Sequence, residues 1–313
     1  MNQNNLHKNH DRSFTDYLFL TGKGFCMGAS DVVPGVSGGT IAFILGIYEE
    51  LITAIKAFDL YSFKLLLSFR FKAFFNHISW QFLLSIAIGI ILAIFSLSKV
   101  ISWLLQYRPV LIWSFFLGLI LASVVIVFLR VKKWSSYSIL YLLMGSIGAY
   151  LLVGLVPVST PNTPFFLFLC GAFAICAMIL PGISGSFILV ILGKYQFILE
   201  AVNQRNFTVL LFVAAGTFVG IASFSRLLKW LLTKYHDLTI ALLIGFMIGS
   251  LRKVWPWKET VKSIQDAQGK IIPVIQTNIL PEQLNGEVIL AIFIVFLGLG
   301  SILIMDRFSN QHS

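Results

Sequence analysis

The sequence predicts an all-α polytopic membrane protein, an inverted repeat of a broken, re-entrant helical hairpin followed by two transmembrane helices. Three observations predict it. Apolar residues make up 58% of the 313-residue chain and charged ones 12%, with a mean hydropathy of +0.88, where a soluble domain carries about 25% charged residues. Several windows reach the roughly 20 apolar residues that one crossing needs. One motif, Pro-Gly-x-Ser-Gly, recurs inside two apolar stretches, at 34–38 and 181–185.

Six stretches read as simple spans, at about 82–105, 110–130, 137–156, 207–232, 238–251 and 287–305. They lack the polar alternation of a membrane barrel, so each must satisfy its backbone internally, as a helix. The apolar regions 17–57 and 165–202 are each interrupted near the middle by the motif. Residues 1–16 are polar, and no short apolar core with a small-residue cleavage pattern follows, so no cleaved signal peptide is expected. The organisation that follows is repeat 1 at 17–134, a linking helix at 135–160, repeat 2 at 161–254, an extracytoplasmic loop at 255–286 and a final helix at 287–313.

The duplication can be read residue by residue. Val33–Ile55 laid over Leu180–Val202 without a gap gives ten identities in 23 positions, among them Pro34/Pro181, Gly35/Gly182, Ser37/Ser184, Gly38/Gly185, Gly46/Gly193 and Tyr48/Tyr195. The following spans align too, with Gly89/Gly216, Trp103/Trp230, Gly118/Gly245 and Ser123/Ser250 in register. The offset shortens from 147 to 127, which leaves about twenty extra residues in the first unit. They fall within Phe58–His77, a basic and aromatic insert that resembles an interfacial helix. Three spans separate the hairpins, and an odd number turns the second unit over relative to the first, a symmetry common in secondary transporters. With that topology 13 Lys and Arg fall on the N-terminal side and eight on the other, which predicts cytoplasmic termini. The charge count is the same whether the hairpins re-enter or cross.

Inside a membrane segment, proline removes an N–H and glycine admits unusual backbone angles, so the helix breaks at each motif. Broken backbone at membrane depth must be buried in protein or line a wet cavity. Pro34, Gly35, Ser37, Gly38, Gly39 and Thr40 from the first copy, with Pro181, Gly182, Ser184, Gly185 and Ser186 from the second, are candidate phosphate-binding residues, since half-helix N-termini and hydroxyls suit an anion. The competing reading is a kink that packs two helices closely through glycine.

Asp31 corresponds to Met178 in the second copy, and this difference makes it a candidate for proton coupling or gating, with a helix N-cap as the alternative. Glu49 and Glu50 are weighed for the same role against a solvated place at the interface. Arg226, aligned with Lys99, is a further phosphate candidate, with snorkelling to the interface as its alternative.

Other chemistry is not supported. The net charge of +10 is spread over short loops, which points to membrane orientation and anionic lipid rather than nucleic acid. Cys26, Cys170 and Cys176 form no metal-ligand spacing, and the chain lacks a Walker loop, an HExxH pair and a GxSxG elbow. No catalytic residue, metal or cofactor is therefore expected, and the oligomeric state is not legible.

The stretch Gly24-Phe-Cys-Met-Gly-Ala-Ser-Asp-Val-Val-Pro-Gly-Val-Ser-Gly-Gly-Thr-Ile-Ala-Phe-Ile-Leu-Gly-Ile-Tyr-Glu-Glu, with the second motif Leu-Pro-Gly-Ile-Ser-Gly-Ser at 180–186, resembles the signature of the bacterial DUF368 family of polyprenyl-phosphate transporters. The resemblance covers about residues 15–305. It implies transport of undecaprenyl phosphate from the outer to the cytoplasmic leaflet of the bacterial cell membrane, for reuse in cell-wall polymer synthesis. The residues alone leave open a transporter or channel for a small soluble anion.

Overall fold

The computed structural model describes residues 12–32, 37–131, 133–265, 271–281 and 283–311. Helix α1 (Phe14–Asp31) leads to the half-helix α2 (Gly38–Ile44) and then to α3 (Tyr48–Lys56). Ser13 starts α1 with a capping box, its hydroxyl accepting from the Asp16 amide while the Asp16 carboxylate accepts from the Ser13 N–H. Gly46, at φ +71°, makes the turn between α2 and α3, which are bent by 120°. That left-handed conformation costs glycine nothing. The end of the hairpin lies against its beginning, for Arg12 donates to both oxygens of Glu50 at 2.7 and 2.8 Å, and Lys23 donates to the Leu45 carbonyl at 3.1 Å.

The expected insert folds as two short helices rather than one, α4 (Leu60–Leu67) and α5 (Phe71–His77), joined through Phe69 at φ +53°. They leave Leu67, Phe69, Phe71 and Phe75 exposed. Three long helices follow, α6 (Trp80–Tyr107), α7 (Pro109–Arg130) and α8 (Ser136–Val153).

The second half runs through α9 (Pro164–Ile179), α10 (Gly185–Ile191), α11 (Tyr195–Asn203), α12 (Phe207–Lys234) and α13 (His236–Val254). Lengths match pair by pair: seven residues in α2 and α10, nine in α3 and α11, 28 in α6 and α12. Gly193, at φ +63°, occupies the place of Gly46, and α10 and α11 are bent by 108°. The stretch expected as a plain loop carries an antiparallel hairpin, β1 (Lys258–Gln265) and β2 (Ile271–Asn278), with Lys258 opposite Asn278. Its base is tied down by the Trp255 indole N–H on the Ile279 carbonyl and the Asn278 amide on the Arg252 carbonyl, both at 2.8 Å. Helix α14 (Gly286–Gln311) ends the described chain.

Helices α6, α7, α8, α12 and α14 are each long and apolar enough to cross a bilayer. The sixth expected span is present as α13, whose apolar stretch is shortened by Asp237, Arg252 and Lys253 near its ends. Only α7 among the five is mostly buried; the others present Phe95, Leu211, Phe296 and many similar side chains outward. Water would not tolerate so continuous an apolar surface, and hydrocarbon does. The chain is a multi-pass membrane protein.

Because lipid tails are as apolar as leucine, helix association in a membrane depends on close packing. Here α1 packs on α6, α9 on α12, α7 on α14 and α8 on α13. At each crossing a glycine meets backbone. A Cβ at Gly89 would strike the Thr21 carbonyl, at Gly216 the Phe168 carbonyl, at Gly118 the Val295 carbonyl and at Gly245 the Leu142 carbonyl. These are the glycines that the sequence repeat aligns, so their recurrence records two equivalent pairs of helix contacts.

Candidate functional site

The two breaks touch. Each break frees backbone groups at the end of one helix and the start of the next, and in apolar surroundings each needs a partner. At the second break, the α9 carbonyls of Met178 and Ile179 receive hydroxyl donors from the first half: Ser37 at 2.9 Å and Tyr48 at 3.1 Å. Just beyond, the Gly182 N–H donates to Thr40 Oγ1 at 2.8 Å. Three hydroxyls of one half thus satisfy three backbone groups of the other. Ser37, Thr40 and Tyr48 are all buried.

Glycine makes this approach possible at two points. Gly39 faces the Met178 and Ile179 carbonyls, with 2.6 Å left between the Ile179 oxygen and the site of a Cβ. Gly182 sits at φ +88°, a conformation that other residues rarely adopt, and backs onto the Phe246 carbonyl and the Ser250 hydroxyl of α13. Pro181, beside it, is fully buried. Pro34 and Gly35 of the first motif lie outside the described residues.

The two half-helix starts differ electrostatically. In α2 the Gly38 N–H donates to Asp31 Oδ1 at 2.6 Å, the Gly39 N–H to Ser37 Oγ at 3.1 Å, and the Thr40 N–H to the Ser37 carbonyl at 2.9 Å. A carboxylate from α1 already sits where an anion would sit. In α10 the N-cap residue Ser184 makes no side-chain cap bond, and its hydroxyl lies 2.8 Å from that of Ser186. Gly185 packs against the Ala174 carbonyl. Met178, the counterpart of Asp31, offers no carboxylate. Asp31, the last residue of α1, thus offers its carboxylate to the first amide of α2, as in the capping reading of this residue.

The other candidates lie elsewhere. Glu50 is engaged by Arg12, and Glu49 approaches His236 Nε2 at 3.3 Å, both at the end of the molecule where α1 and α13 begin. Arg226 and Lys99 are exposed on α12 and α6, away from the hydrogen bonds that join the two breaks. Among the described residues no group of three His, Cys, Asp or Glu side chains stands in a metal-binding arrangement. Tyr48 is the site residue that sequence reasoning passed over. Its recurrence as Tyr195 was visible, but only the fold shows that the first copy is buried against Ile179 while the second is exposed.

Comparison with known proteins identifies the family and two curated relatives. A family model described as undecaprenyl phosphate translocase-like matches residues 27–272 and so takes in both breaks. A protein of Vibrio cholerae named polyprenyl-phosphate transporter is 40% identical over 302 residues, covering 95% of this chain and 98% of the relative. A Staphylococcus aureus protein of the same name is 34% identical over 253 residues, covering 75% of this chain and 84% of the relative. No solved structure matches the chain.

Proposed function

This chain belongs to the undecaprenyl phosphate translocase-like family, and on that premise we propose that it carries a polyprenyl phosphate across the bilayer through the paired helix breaks. The observation that supports this most is the contact between Thr40 and Gly182. It places the polar groups of both motifs together inside a bundle whose outer surface is hydrocarbon. A polyprenyl phosphate has the matching division, an anionic head that needs polar partners and a tail that stays in lipid. Serine hydroxyls and backbone amides replace part of the head group's hydration, at far lower cost than bare hydrocarbon.

The two halves are an inverted pair in this reading. Support comes from which ends meet: α1 and α6 begin together through Tyr17 and Gln81, and α13 begins beside Glu49 at the mouth of the first hairpin. At the far end, α8 and α13 finish together through Tyr150 and Arg252. The second hairpin closes ten residues after Tyr150, with the Val158 N–H on the Ile191 carbonyl at 2.9 Å and Lys194 on the Thr160 carbonyl at 2.6 Å. Both hairpins are then re-entrant, opening to opposite leaflets. The charge bias puts the first mouth and both termini on the cytoplasmic side of the cell membrane, and the lipid moves from the outer leaflet inward to be reused in cell-wall synthesis.

Ser37, Thr40, Ser184 and Ser186, with the glycines beside them, hand the phosphate from one half to the other. Asp31 is the gate: it holds the first α2 amide, that of Gly38, until protonation or an arriving phosphate displaces it. Arg226 on the outer face of α12 meets lipid head groups. The protein acts as a transporter rather than an enzyme, in line with the names its relatives carry.

The test is reconstitution into vesicles with labelled undecaprenyl phosphate, following how fast phosphate in the outer leaflet escapes an impermeant probe. Acceleration over empty vesicles is expected. No acceleration, together with measurable flux of a soluble anion, would replace this reading with the small-anion one.

A further inference from the structure

Three cations gather where α13 ends. Lys253 Nζ lies 4.7 Å from the ring centre of Phe187, which is three residues past Ser184 on α10. Lys258, the first residue of β1, holds its ammonium 4.1 Å over Trp113 of α7 and donates to the Lys253 carbonyl at 2.5 Å. Arg252 lies 4.5 Å over Tyr150 and donates to its carbonyl at 3.1 Å. All three are half-buried, and among the described residues none pairs with a carboxylate.

Lysine ammoniums are strongly hydrated and ordinarily reach water or an acid. Two held side by side over aromatic faces repel each other and have lost part of their hydration. A shared anion relieves both costs. The group also stands in a telling place. Ser250, one turn before Lys253, backs Gly182 of the second break, so the cations and that break lie along one continuous stretch of α13 and α10. The β-hairpin, tied down through Trp255 and Asn278, fixes Lys258 over this stretch.

We propose that Arg252, Lys253 and Lys258 form the outer receiving site for the phosphate head group of the lipid, passing it on to the second break. This rests on the transport reading above and adds residues outside both motifs. Arginine and lysine supply charge to the phosphate, while Trp113 and Phe187 flank the first isoprene units at the level where aromatic side chains meet head groups.

Footprinting of the wild-type protein in nanodiscs tests it without a mutation. An amine-acetylating reagent is applied with a short-chain polyprenyl phosphate, with the matching polyprenol, or with inorganic phosphate, and modification of Lys253 and Lys258 is read by mass spectrometry. At least fivefold protection by the polyprenyl phosphate and none by the polyprenol is expected. Equal protection by inorganic phosphate at the same concentration would reassign the site to free phosphate. No protection by any of them overturns the proposal.

In vesicles, a Lys253→Gln, Lys258→Gln double variant should transport at least tenfold more slowly at low lipid concentration. The double arginine variant should stay within twofold of wild type. Wild-type rates in the glutamine variant, with active wild-type protein alongside, sink this site and leave the transport reading standing. An inactive wild type sinks the transport reading itself.

Discussion

The Asp31 carboxylate accepts the Gly38 N–H across the first helix break, at 2.6 Å, so α1 supplies the anion that caps α2. Asp31→Asn retains an acceptor for that amide and removes the charge. If Asp31 gates the site by taking up a proton, the asparagine variant will move polyprenyl phosphate equally fast with and without an imposed pH gradient, where the wild type responds to it. The measurement is vesicle transport at two internal pH values. A variant that keeps the wild-type response rules Asp31 out of the coupling. Asp31→Ala removes the acceptor as well and should lower stability by about 1–3 kcal/mol, the cost of a buried amide left unpaired.

Thr40 is the acceptor for Gly182, and its counterpart in the second copy is Phe187, so the reverse contact does not exist. Thr40→Val keeps the shape and deletes the oxygen. We expect thermal stability to fall, by about 1–3 kcal/mol for an orphaned N–H in apolar surroundings. Transport should fall as well, whereas Thr40→Ser should retain most of both. Melting curves and vesicle transport on the three proteins decide the matter. A valine variant as stable as wild type means that the Gly182 amide finds another partner.

The extent to which the sequence foretold this arrangement differs between scaffold and site. Composition and span length reported the solvent, because a bilayer imposes a long apolar run on every crossing. The paired glycines carried more information than their number suggests, since Gly89 and Gly216 recur where helices touch. The β-hairpin formed by 258–265 and 271–278 went unread because two isolated strands leave a weak periodic signal. At the site, the motif positions were legible and the partners were not. That Ser37 would serve Met178, and Tyr48 Ile179, depends on how two segments about 140 residues apart pack together. Capping by Asp31 was legible as one of two readings of that residue, but which amide it serves, Gly38, depends on how the chain folds back across the break.

The glycine crossings make the duplication testable through stability. Gly89→Ala and Gly216→Ala each drive a methyl into a carbonyl of the facing helix, and overpacking of this kind costs about 1–3 kcal/mol. Equivalent positions should suffer alike, so the two melting temperatures should fall by similar amounts. Gly22→Ala and Gly148→Ala are the controls, because nothing lies within 4 Å of the added carbon, and alanine is the better helix former. These should match or exceed wild-type stability. A Gly89 variant that melts like the controls would mean that α1 and α6 pack less closely than described.

Lys258 gives the outer cluster a pH dependence whose sign can be worked out. Burial, and next the charge of Lys253, push its ammonium down from 10.5 to about 7. Between about 7 and 10.5 the unfolded chain therefore binds the proton that the folded one has released, so this lysine's contribution to stability rises with pH through that window. Anion capture runs the other way. Below about 7 the side chain is charged and attracts phosphate, and above it the charge is lost unless the ligand restores it. Affinity for a polyprenyl phosphate should therefore fall between pH 6 and 9. The lipid's own second ionisation, which makes its head group more negative over part of this range, opposes the trend. Lys258→Arg isolates the lysine, because a guanidinium stays charged throughout; its affinity should hold or rise over the interval in which the wild type weakens. Binding titrations at four pH values on both proteins make the comparison, and parallel curves would remove Lys258 from the phosphate's path.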